Sequence, residues 1–161
     1  MHRLLFFTLF LGCAVVGSGQ VRTTLDSLQE IDSDAEKFDS LVSLSIASID
    51  DDMSVALRAI QNAVDLGWVS GDSGRIVEGL RIKGQILYRL ERSGEAIETF
   101  QRARSIATRR SYKQELMMIS NTFGSTYLFR SQFDKALRQY FTAYELAQAL
   151  ARQRLSFFQH P

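Results

Sequence analysis

The chain has 161 residues, 45% of them hydrophobic, and a formal net charge of +1. That is about one domain's worth of sequence with enough apolar content for a core, and too even a charge to demand a polyanionic partner. Its one cysteine is Cys13 and its two histidines are His2 and His160. The stretch between them therefore offers no disulfide, no thiolate zinc cluster and no imidazole for a catalytic triad.

Met1-His2-Arg3 is a positive start, residues 4–16 an apolar run, and Gly17-Ser18-Gly19 a set of small residues suited to cleavage. Residues 1–20 read as a secretory signal peptide, because the run falls short of the roughly 20 apolar residues of a membrane span. An uncleaved anchor is the alternative. Lipid attachment at Cys13 is another, since Phe10-Leu11-Gly12-Cys13 resembles a bacterial lipoprotein signal. The expected location is exported, periplasmic or envelope-associated.

An acidic lead-in occupies 21–34. Residues 20–55 hold nine acids against Arg22 and Lys37, whereas the rest of the chain after them holds sixteen bases against nine acids. Arg102, Arg104, Arg109 and Arg110 are not interleaved with aromatics and read as a solvated helix face, so nucleic acid is not an expected partner.

From 35 to 156 the pattern is helical throughout. Asp32-Ser33-Asp34 can cap a helix over 35–49, and Asp50-Asp51-Asp52 ends it and caps the next, over 53–68. Three adjacent carboxylates cannot enclose a cation without further ligands, so no metal is expected. Gly67 and Ser70-Gly71-Asp72-Ser73-Gly74 mark a loop before a helix over 73–91. Ser93-Gly94 turns the chain into 94–109, Ser111 caps 112–130, and Ser131-Gln132 turns it into 133–155, leaving 157–161 as a tail. No period-two pattern persists, and the fold class is all-α.

Ala56, Ala96 and Ala136 recur at intervals of forty residues. Four residues after each comes a large apolar one (Ile60, Phe100, Tyr140), and seven after each a second alanine (Ala63, Ala103, Ala143). These spacings trace one helix face, and their recurrence describes like units that cannot bury that face alone. The unit NTFGSTYLFRSQFDKALRQYFTAYEL resembles the tetratricopeptide repeat through Gly124, Tyr127, Phe133, Ala136, Tyr140 and Ala143. Gly124 and Ala136 are expected where its two helices cross, with Tyr127, Phe133 and Tyr140 filling the space beside the crossing. A second unit matches through Gly84, Leu87, Ala96, Phe100 and Ala103, with Lys83 where an aliphatic is expected. The first has Leu44 in place of a small residue. The period of forty exceeds the family's roughly 34, and no proline closes a unit, so the second helices are expected to run on by about one to two turns.

The resemblance implies a right-handed superhelical array of three antiparallel helix pairs, first helices on the concave side, binding a protein or peptide. Some tetratricopeptide domains grip a terminal carboxylate with basic and amide side chains; those places hold Leu41, Ser45, Ile82, Met118 and Thr122 here, which excludes that mode. Met117 and Met118 are candidates for adaptable contacts or core filling. Arg81, Gln85, Tyr88, Asn121 and Ser125 are the candidate concave contacts. Gly71 and Gly74 lack a following Lys-Ser/Thr and read as turn residues, so no phosphate loop, cofactor or enzymatic activity is expected.

Signal, acidic lead-in and long repeats in that order resemble the exported sensory region of bacterial envelope histidine kinases and regulators. A free-standing periplasmic or lipid-anchored scaffold of an envelope complex is the alternative, and residue types alone leave both open.

Overall fold

In the computed structural model, which describes residues 33–159, six helices follow one another: α1 (Asp34–Ala47), α2 (Met53–Ser70), α3 (Ser73–Arg89), α4 (Ser93–Arg110), α5 (Lys113–Phe129) and α6 (Phe133–Gln159). The expected signal peptide and most of the lead-in lie outside the described residues. Each helix packs on the next, and α3 also touches α5. The described residues form an all-α superhelix of helical repeats in which the first helices α3 and α5 lie side by side.

Local chemistry starts the helices where the capping residues stand. The Ser33 hydroxyl accepts from the Glu36 amide at 3.4 Å. Asp52 accepts from Ser54 and Val55, and Asp72 from Gly74 and Arg75. Each satisfies amides that a helix start leaves without an intrahelical partner.

Four turns obey a period of twenty. Gly71, Glu91, Ser111 and Ser131 all have positive φ, from 56° to 69°. The residue after each returns its amide to a carbonyl five positions back: Asp72 to Gly67, Arg92 to Leu87, Tyr112 to Ala107, Gln132 to Tyr127. This is the left-handed closure that satisfies a helix's last carbonyls. Ser111 is thus the end of α4, its backbone in the left-handed region, and not the side-chain cap of α5. Gly67 is not a loop residue either: α2 continues to Ser70, and Gly67 is buried where a Cβ would come 3.1 Å from Ile76.

The three register alanines occupy equivalent places. Ala56, Ala96 and Ala136 each donate their amide to the residue just before their helix, Asp52, Arg92 and Gln132, and their exposures are 0, 0 and 2%. Ala63, Ala103 and Ala143 are buried about two turns further along the same face. The central core joins Val77, Leu80 and Leu87 of α3 to Phe100 and Ala103 of α4 and to Ile119 and Phe123 of α5. A second cluster holds Phe38 and Leu41 of α1 against Ile60 of α2 and Ile86 of α3.

Gly84 and Gly124 each make room for an aromatic ring. A Cβ on Gly84 would lie 2.4 Å from the Phe100 ring, and one on Gly124 would lie 2.5 Å from the Tyr140 ring. In both units the aromatic ring sits directly over the glycine. The first unit makes the opposite exchange, with Leu44 and the shorter Ile60 in one cluster, so side-chain volume moves from one helix to the other. Phe133, expected as filler, is 64% exposed, whereas Tyr127 stacks on Phe123 with centroids 5.8 Å apart. As α6 shows, a second helix does run on: it reaches Gln159, past the expected 155.

Candidate functional site

The seam between α3 and α5 carries three rungs. Arg81 Nε donates to Glu115 Oε2 at 3.1 Å, Gln85 Nε2 to Thr122 Oγ1 at 3.5 Å, and Tyr88 meets the Phe129 ring edge to face at 5.5 Å. Arg81 also reaches Gln85 Oε1 at 3.5 Å. Two helices start this seam in step because both are first helices of forty-residue units. The rungs join residues 34 to 41 positions apart, so nothing local forms them.

The five candidate contacts divide accordingly. Arg81 is only 9% exposed, so it is a packed ion-pair residue and not the solvent-facing contact expected. Half-buried Gln85 is tied into the seam. Ser125 bonds within its own unit, to the Asn121 carbonyl and the Tyr140 hydroxyl. Tyr88 is half-buried, and only Asn121 is exposed. Phe129, 59% exposed beside Tyr88, was missed, because an aromatic at a helix end gives no periodic signal of its own. Met118 and Met117 are half-buried, while Leu41, Ser45 and Ile82 are buried, with the Ser45 hydroxyl donating to the Ala56 carbonyl at 2.9 Å. Those three could touch no ligand without the helices parting.

Charge along this seam is concentrated at Glu78, Arg81 and Glu115. Burial pushes the Glu78 carboxyl above its ordinary value of 4.5; the Arg81 charge opposes the shift and Glu115 adds to it. A carboxyl raised on folding favours the native state below its ordinary value, and that advantage is lost as pH rises through the raised one. Glu78→Gln is therefore expected to stabilise the fold at pH 7, by less than about 1 kcal/mol because solvent screens a half-exposed group. At pH 4 it should match the parent, and thermal melts across pH 4–8 check the convergence.

Away from the seam, burial chiefly lowers the Lys83 pKa, and its amine donates to Gln61 Oε1 at 2.5 Å across α2 and α3. That contact accounts for a polar residue at an aliphatic place. Arg102, Arg109 and Arg110 are exposed as expected. Arg104 is not simply solvated: its guanidinium lies 5.0 Å from the Phe123 ring centroid. Among the described residues no group of three or more His, Cys, Asp or Glu is placed to hold a metal ion, and no helix is long and apolar enough to cross a membrane.

Residues 77–149, spanning α3 to most of α6, match the model of the tetratricopeptide repeat. This segment of the chain is similar to the tetratricopeptide repeat. Domains of this kind are protein-interaction modules that typically bind proteins or peptides, and the match covers both units in which an aromatic sits over a glycine. No curated protein and no solved structure gives a significant match.

Proposed function

We propose that this chain is the exported sensory part of a bacterial signal-transduction protein, and that it holds a protein or peptide segment against α3 and α5 without catalysis. The observation that carries the binding surface is the pairing of a fixed seam with an open strip beside it. Three rungs lock the spacing of α3 and α5; exposed Phe129 stands against half-buried Tyr88, and exposed Asn121 lies about two turns back along α5. An extended peptide finds there an amide for its backbone, an aromatic corner for an apolar side chain, and the Glu78 carboxylate for a base. Support for export comes from the charged start, apolar run and small residues of 1–20.

One experiment tests both parts. The mature protein is recovered from cell fractions, its N-terminal mass is read, and it is used to capture partners from envelope extract. A start near Gln20 is expected, and Tyr88→Ala/Asn121→Ala should abolish capture while Arg102→Ala/Arg109→Ala retains it. An intact Met1 in the cytoplasm refutes export. Capture lost only with Arg102→Ala/Arg109→Ala refutes the α3–α5 face.

A further inference from the structure

One row of large apolar side chains along α6 has no cover among the described residues. Phe133, Leu137, Phe141, Tyr144 and Leu155 are 57 to 64% exposed. At 3.6 residues per turn they fall within roughly a quarter of the helix circumference, with exposed Gln148 and Ala151 completing the row. The same offsets in α2 and α4 face the next first helix. Gln61 accepts from Lys83, Val64 lies where a Cβ on Gly79 would come within 2.7 Å, Ile97 packs on the central core, and Arg104 covers Phe123. The open row is therefore α6's counterpart of an interface the molecule forms twice internally. Its chemistry differs: Phe141 stands where the other helices carry Gln61 and Gln101, and Tyr144 where they carry Val64 and Arg104.

The row is complementary to itself. Its midpoint, between Phe133 and Leu155, is Tyr144. An antiparallel copy sets Phe133 against Leu155 and Leu137 against the small Ala151. Asp134 and Arg152 are eighteen residues apart, five full turns, so both lie on the same edge of the row. Neither makes an ion pair among the described residues. About a two-fold axis at Tyr144, each Asp134 meets Arg152 of the other copy. The far end of the array offers no such match, because the exposed side of α1 carries Glu36, Asp39 and Ser43.

We propose that a second copy of this chain docks on this row, pairing the two α6 helices antiparallel about Tyr144 with reciprocal Asp134–Arg152 contacts. Such an interface is isologous and closes at two copies. Sedimentation equilibrium of the full chain tests it. A dimer is expected, converted to monomer by Phe141→Glu with helicity retained and the melting temperature of the parent diluted to its monomer, since that side chain is exposed in the single copy. Asp134→Arg should weaken association at least tenfold, and Asp134→Arg/Arg152→Asp should restore it. In a Cys13→Ser background, Tyr144→Cys should cross-link copy to copy while Leu137→Cys does not, because a disulfide needs Cα atoms within about 7 Å. A parent that stays monomeric at every concentration, a head-to-tail polymer, a dimer indifferent to Phe141→Glu, or failure of the charge exchange to rescue would each overturn it.

Discussion

Gly84→Ala is expected to destabilise the fold by about 2 kcal/mol, whereas Gly124→Ala is expected to be close to neutral. Both added methyls meet a ring at less than 3 Å, so the glycines alone do not separate the two. The rings do. Phe100 is 0% exposed and lies against Phe123 with centroids 5.3 Å apart, so it has nowhere to go. Tyr140 is half-buried and held by one hydroxyl contact to Ser125 at 3.2 Å, so it can swing toward solvent. Overpacking costs about 1–3 kcal/mol, and replacing a mid-helix glycine by alanine returns about 1 kcal/mol of helix propensity. The balance is a loss at Gly84 and a near cancellation at Gly124. For a domain of this size the Gly84 variant should melt roughly 6–10 °C lower. Gly84→Ala/Phe100→Leu should regain part of the loss. Equal melting of the two glycine variants would mean the rings are equally free, and the account of the glycine–aromatic contact would fail.

The forty-residue array was legible because its signals are local or periodic. Ala56, Ala96 and Ala136 announce buried helix faces, and Ser33, Asp52 and Asp72 announce helix starts. What escaped was whatever depends on a neighbour in space. Ser111 looks like a cap because serine commonly is one, yet the turn geometry places it in the left-handed region at φ 57°. Leu44 looks like a departure from the repeat until Ile60 is seen to be correspondingly small. Phe133 looks like core because it precedes a helical apolar pattern, but it belongs to the uncovered row of α6. The adjacency of α3 and α5 follows from the repeat, while the division of the candidate residues into fixed and free was not legible. Arg81 and Glu115 are separated by 34 positions, and no spacing rule within one helix pairs them.

That pair carries the last prediction: Arg81→Ala should cost about 2–3 kcal/mol of stability. The Arg81 and Glu115 side chains are 11 and 25% exposed, so their contact is screened far less than the surface pair Arg89–Asp50. Removing the guanidinium leaves Glu115 facing Glu78, whose carboxyl burial already disfavours as an anion. It also removes a stem that packs in the seam, and Gln85 loses a neighbour. Arg81→Met keeps the stem and should lose only the ionic share. Arg81→Met/Glu115→Gln removes both charges and should recover most of that share, because losing a whole pair costs less than stranding one partner. Acid should narrow the Arg81→Ala deficit, since protonating Glu78 removes one of the two facing charges. Chemical denaturation of the four proteins at pH 7 and pH 4 reads each of these steps. If Arg81→Ala unfolds like the parent at both pH values, the rung does not hold the seam. Arg81 would then stand with Asn121 as a residue free to meet the partner.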